Sequence, residues 1–121
     1  MQNISLEEKV KNSSAEELTL MLFNGCLNFI DQGKQFLNKK QYEQANNNLQ
    51  RAEAIILELN CTLNFKYSIS NTLSALYNYT YNRLVEGNIK SDQQQINEAE
   101  NIITTLRDTW LTAIEQIKYE Q

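Results

Sequence analysis

A chain of 121 residues, 41% of them hydrophobic, is long enough to bury one core without disulfide or metal staples. Its net charge of −4 comes with no basic block, which excludes a phosphate-tracking nucleic-acid surface, and no apolar run approaches the roughly 20 residues that span a bilayer. The lack of histidine removes histidine phosphotransfer, histidine-held haem and di-iron sites built on Glu-x-x-His, and the remaining carboxylates, tyrosines and thiols show no catalytic, metal or cofactor spacing.

With no proline and three glycines, the stock of Leu, Ile, Ala, Glu, Gln and Lys predicts helix throughout. Residues 1–12 carry Ile4, Leu6 and Val10 among polar neighbours, and Ser5 with Glu8 fits a capping box. A helix this short is marginal alone, so the segment is ordered only where those three side chains find an apolar surface. Ser14-Ala15-Glu16-Glu17 is a stronger capping box and opens a first long helix running to about Asn38, roughly 36 Å at 1.5 Å per residue. Its apolar residues form two stripes at 100° per residue: Leu18, Leu22, Gly25, Phe29 and Phe36, and nearly opposite them Leu20, Phe23, Leu27 and Ile30. One stripe suffices for a core, which leaves the second for a cover, either the protein's own N-terminal segment, a second copy or a partner.

After a tight reversal at Asn38-Lys39-Lys40, a one-sided helix carries Ala45, Leu49, Ala52, Ile56, Leu59 and Leu63, and the Asn46–Asn48 run reads as solvated. A break at Asn64–Tyr67 precedes Ser68, a candidate N-cap, and a third helix with Ile69, Leu73, Leu76, Thr80 and Leu84 on one stripe and an end near Gly87-Asn88. Tyr77, Tyr81 and Val85 widen its apolar sector beyond a bundle seam, and with Tyr79 form a tyrosine cluster of the kind enriched at interfaces. Ser91 with Gln94 is read as capping the last helix, whose Ile96, Ala99, Ile103, Leu106, Trp110, Ala113 and Ile117 make a heptad seam with Trp110 in a structural role. Cys26 and Cys61 sit inside apolar patterns and read as buried free thiols.

Four helices joined by short loops alternate in direction, so the expected fold is all-α: an antiparallel up-down-up-down four-helix bundle with a short N-terminal helix or segment. The expected organisation is a single domain over 1–121, with 1–13 as a mobile capping segment and 14–119 as the bundle. The first and third helices lie diagonally, so their surplus faces are expected as separate patches that a partner reaches by wrapping around. No basic-then-apolar leader precedes the first helix, which makes the cytosol the expected compartment.

The chain resembles the bacterial flagellar secretion chaperone family, FliS, in five pieces that follow in order with matching gaps. They are residues 14–26 (SAEELTLMLFNGC), Arg51-Ala52 with Ile55-Ile56 and Glu58-Leu59, Leu76-Tyr77-Asn78-Tyr79, Arg83-Leu84 with Asn88, and Leu106-Arg107-Asp108 with Trp110. The resemblance spans nearly the whole chain. It implies a chaperone with no enzymatic activity, which protects flagellin before export by binding its disordered C-terminal region. That region wraps around the bundle and partly displaces the chaperone's own N-terminal segment. Phe23 stands where the family commonly has tyrosine, Gly87 where it has alanine and Thr80 where it has methionine.

Together the surplus faces and the resemblance single out Leu20, Phe23, Asn24, Leu27 and Ile30 of the first long helix as partner-binding candidates. Tyr77, Tyr81, Leu84 and Val85 of the third join them, with Ile4, Leu6 and Val10 as the exchangeable cover. The expected partners are the flagellin C-terminal segment and other flagellar export or regulatory proteins, with no nucleic acid, no membrane insertion, no metal and no cofactor. The free form is expected to be a monomer or weak dimer. The competing reading is a structural or homodimeric bundle whose outward stripes meet each other.

Overall fold

The structure, a computed structural model, describes residues 14–120, with side chains to residue 116. The N-terminal segment with Ile4, Leu6 and Val10 lies outside the described residues, as do the side chain of Ile117 and the end of the last seam. Four helices follow in order: α1 Ala15–Asn38, α2 Tyr42–Cys61, α3 Ile69–Lys90 and α4 Gln93–Glu120. Each packs on two neighbours in a ring, α1 on α2, α2 on α3, α3 on α4 and α4 back on α1, the up-down-up-down bundle that short connections enforce.

The helix boundaries follow from side-chain chemistry. Ser14 sits in extended backbone at the head of α1 and its Oγ accepts the Glu17 N–H at 3.2 Å, with Glu16 and Glu17 placing negative charge on the helix's positive end. α1 ends in a Schellman turn: the Gln41 N–H reaches the Phe36 carbonyl at 2.9 Å, the Lys40 N–H reaches Leu37, and Lys40 takes the left-handed conformation at φ 59°. α3 ends the same way, with the Asp92 N–H on the Gly87 carbonyl at 2.8 Å and Ser91 left-handed at φ 51°.

Two expected caps are corrected. α3 runs through Gly87 to Lys90, and Ser91 is part of its terminal turn. The head of α4 is capped by Asp92, whose carboxylate accepts the Gln94 N–H and the Gln95 side-chain amide at 3.0 Å each. The Gln95 hydrogen bond holds the Asp92 carboxyl below its usual range. Ser68 stands at the head of α3 in helical backbone with no side-chain cap, and the turn is tied instead by Ser70 Oγ donating to the Asn64 carbonyl at 2.6 Å.

The core is built from one buried stripe per helix: Phe23, Cys26 and Ile30 of α1, Leu49, Ala52, Ile56 and Leu59 of α2, Tyr77 and Leu84 of α3, and Ile96, Ala99 and Ile103 of α4. The seams of α2 and α4 match their sequence periodicity, with Leu106 and Trp110 half-buried and Ala113 exposed where the α4 seam thins. α1 differs. Its buried midline is Phe23, Cys26, Ile30 and Gly33, and the two stripes expected on opposite sides are the two flanks of this inward face. On one flank Gly25 lies 3.5 Å (built Cβ) from Ile55 and Phe29 sits under the Arg51 guanidinium, both on α2. Phe23 and Ile30 of the other stripe are in the core itself.

The two ends of the bundle are held differently. At the end with the Lys40 and Ser91 turns, the Asn88 amide donates to Asn46 Oδ1 at 2.7 Å, Gln93 donates to Asn38, and Lys34 pairs with Glu100 at 2.9 Å. Gly33 and Gly87 let neighbouring helices close in: a Cβ at Gly33 would lie 2.7 Å from Leu49, and one at Gly87 2.7 Å from Ile96 and 3.1 Å from the Asp92 carbonyl. The other end carries the longer α2–α3 connection with Phe65 and Tyr67 exposed, and there the helices leave a gap.

Candidate partner-binding surface

The gap is an apolar cleft of about 370 Å³ walled by Leu18 and Leu22 of α1, Leu63 and Tyr67 of the connection, Ile69, Leu73 and Tyr77 of α3, and Trp110 of α4. Its geometry comes from an aromatic hinge. Phe23 holds the edge of Trp110 at 6.4 Å between centroids and the Tyr77 ring at 6.5 Å, and the Trp110 Nε1–H donates to the Glu16 carbonyl at 2.9 Å. The indole is therefore tied to the head of α1 by one hydrogen bond and one ring contact, with its remaining surface at the cleft. Ile69 is 60% exposed and Tyr67 63%, which adds apolar surface at the mouth of the cleft.

A second cleft of about 390 Å³ lies between α2 and α3, lined by Asn46, Gln50, Glu53, Ala54 and Leu57 on one side and Tyr81, Val85, Asn88 and Ile89 on the other. Leu57 and Ile89 are 47% and 76% exposed at its rim. Tyr81 and Val85, expected at a partner surface, line this cleft together.

The other expected contact residues are placed as follows. Leu20 and Leu27 are half-buried on a flank of α1 and Asn24 is exposed, whereas Phe23, Ile30 and Tyr77, expected on surplus faces, and Leu84, read on the bundle stripe and also as a partner-binding candidate, are buried in the core. Tyr77 also forms part of the first cleft's wall. Ile4, Leu6 and Val10 lie outside the described residues. Periodicity missed Leu57, Ile89 and Glu53 of the second cleft and Tyr67 and Trp110 of the first. The available signals were an apolar residue off the seam, in Leu57 and Ile89, and aromatic side chains inside a loop, in Phe65 and Tyr67.

Among the described residues no group of three or more metal-ligating side chains comes together, and no helix is long and apolar enough to cross a membrane. Both cysteines are free. Cys26 is buried beside the Ala52 carbonyl with its thiol pushed up to about 12 by burial, and Cys61, expected inside, is exposed.

Among the described residues Glu53 is the one buried carboxylate, 8% exposed, and burial raises it from 4.5 to about 7. An acid raised on folding contributes its full stability below its unfolded value and loses it as pH rises through the folded value. From pH 5 to pH 8 the parent protein should therefore lose about 2 kcal/mol more stability than Glu53→Gln. Denaturant unfolding of both proteins at the two pH values measures this, and parallel losses would show that the carboxyl is solvated.

The profile of the flagellar protein FliS family matches residues 1–117 of the chain. The chain is 43% identical to the flagellar secretion chaperone FliS of Bacillus subtilis (strain 168) over 109 residues, covering 90% of this chain and 82% of that protein. It is 27% identical to the flagellar secretion chaperone FliS of Escherichia coli (strain K12), covering 88% and 81%, and 28% identical to that of Salmonella typhimurium, covering 88% and 82%.

Proposed function

The chain belongs to the flagellar protein FliS family, and from that premise we propose that it is a cytosolic export chaperone that binds the disordered C-terminal region of flagellin. In this role it keeps flagellin from polymerising early and competent for flagellar type III secretion. It is a chaperone of flagellar export and not an enzyme. The observation that carries the finer reading is the pair of clefts, one apolar and one mixed, with Tyr67, Ile69, Leu57 and Ile89 exposed at their rims.

The mechanism is sequestration. A flagellin terminus whose apolar side chains lie in the two clefts is withdrawn from the assembly equilibrium, and no bond is made or broken. Ordering a disordered segment costs roughly 2–5 kcal/mol, so it is affordable only against large, pre-formed apolar surface. Two clefts that share no lining residue, reached by one segment, offer such surface. Ala15 and Glu16 border the first cleft, so the chain that precedes them starts at its edge. Ile4, Leu6 and Val10 are in this reading the cover that the incoming segment displaces.

Calorimetric titration with the flagellin C-terminal segment tests the reading. The pairs Leu57→Asp with Ile89→Asp, and Tyr67→Asp with Ile69→Asp, alter exposed side chains only, so each should leave the melt within about 0.5 kcal/mol of the parent. Each pair should weaken binding about tenfold or more, as losing an apolar hot spot does. A variant with Ile4, Leu6 and Val10 replaced by serine should bind more tightly. Absence of binding by the parent, together with a stable dimer in sedimentation, would favour a homodimeric bundle and overturn the chaperone reading.

A further inference from the structure

Glu53 stands apart from the other charged residues of the bundle. It lies on α2 in the same layer as Ala52 and Ile56, is 92% removed from solvent, and lines the cleft between α2 and α3. Among the described residues no hydrogen-bond donor or cation pairs with its carboxylate. Of the three amides that line the cleft, two are engaged with each other, Asn88 donating to Asn46 at 2.7 Å, and the third is Gln50. The other charged groups of this region are engaged elsewhere: Arg51 lies over the Phe29 ring, Lys90 pairs with Glu86 at 2.9 Å, and Lys34 pairs with Glu100. Among the described residues Glu53 is the only charged side chain lining the cleft, with Ala54, Leu57, Tyr81, Val85 and Ile89 as its apolar lining and Asn46, Gln50 and Asn88 as its neutral polar lining.

A carboxylate in such a setting is costly. It gives up much of its hydration with no partner in exchange, and an ionised carboxylate only accepts hydrogen bonds. The group that best offsets that cost is a cation with N–H donors, because neutralisation and hydrogen bonding come together and the apolar walls strengthen both. A negatively charged side chain seated there is repelled, and a purely apolar one leaves the group protonated with no partner, so neither gains what a cation gains.

Resting on the chaperone reading above, we propose that Glu53 is a specificity-determining residue of the second cleft. Its carboxylate accepts the ammonium or guanidinium of one Lys or Arg of the bound segment, while Leu57, Tyr81, Val85 and Ile89 take the apolar side chains beside it. The partner is thus recognised by a basic residue embedded in an apolar stretch, not by apolar character alone.

The test is a double-mutant cycle between the full-length protein and the flagellin C-terminal segment, with the Lys and Arg residues of that segment replaced one at a time by Met. One replacement should weaken binding to the parent protein about ten- to hundredfold, the scale of a charge-assisted hydrogen bond. Glu53→Gln should weaken binding of the unaltered segment by a similar factor, and the two changes together should cost no more than either alone. If every basic replacement costs the same in the parent and in Glu53→Gln while the unaltered segment still binds, the proposal falls and the chaperone reading stands. A loss with Glu53→Gln that no basic replacement shares would mean that Glu53 meets a backbone or amide group, which also overturns it. If the segment binds neither protein, both fall. Should the Gln variant not fold, Glu53→Asp, which withdraws the carboxylate by one methylene, takes its place in the cycle.

Discussion

Replacing Phe23 by alanine is expected to cost about 3–5 kcal/mol of stability, the usual loss for a fully buried aromatic. Phe23 is 2% exposed and is the only ring that touches both Tyr77 and Trp110 among the described residues, so truncation empties the layer from which α3 and α4 take their positions at the open end. Against a typical stability of about 5–15 kcal/mol that is a large fraction, and the melting temperature should fall by roughly 10–20 °C. Denaturant unfolding followed by circular dichroism decides it. A loss under 1 kcal/mol would return Phe23 to the outward face that its stripe in the sequence suggests.

Gly87→Val is expected to cost roughly 3 kcal/mol although it replaces the poorest helix former but proline in the interior of a helix. Propensity favours the substitution by a few tenths of a kcal/mol to about 1 kcal/mol. Against this, a Cβ there meets Ile96 Cγ1 at 2.7 Å, the Asp92 carbonyl at 3.1 Å and the Ile96 nitrogen at 3.3 Å. Two of those three atoms belong to backbone fixed by the Ser91 turn and cannot swing aside as a side-chain tip can, so the clash outweighs propensity. Gly25→Ala is the control. Its Cβ would sit an ordinary 3.5 Å from Ile55 Cδ1, and that substitution should stabilise by about 0.5–1 kcal/mol. Thermal and denaturant melts of the two variants should move in opposite directions, and movement in the same direction would refute the close-approach account.

The helices themselves were legible because starts and stops depend on local chemistry: Ser14 with Glu17, the Asn38–Lys40 reversal and the break after Leu63 all act within a few residues. The seams of α2 and α4 were legible because one apolar stripe per helix is unambiguous. α1 was not, and the reason is residue size. Its inward face alternates the large Phe23 and Ile30 with the small Cys26 and Gly33, the latter pressed by Leu49 of α2, so a count of large apolar side chains assigns Phe23 and Ile30 to one flank and takes the middle for a divide. α3 was turned for a related reason. Ser70 is inside because its hydroxyl is satisfied by the Asn64 carbonyl, Gly87 because Ile96 lies against it, and Ile69 outside in exchange. Glu53 escaped notice because a carboxylate pattern reads as solvated face, and only three-dimensional packing shows that this one is enclosed.

Trp110 is the chain's single tryptophan, and it stands in the wall of the first cleft with its indole N–H fixed on the Glu16 carbonyl. The protein therefore carries its one indole fluorophore at the first cleft, whereas the second is lined by Tyr81, which indole-selective excitation leaves dark. An occupant that reaches the open end removes water from the indole and shifts its emission to the blue, whereas one confined between α2 and α3 leaves the spectrum unchanged. The order in which a long guest fills the two clefts is in this way written into the time course of an unlabelled signal.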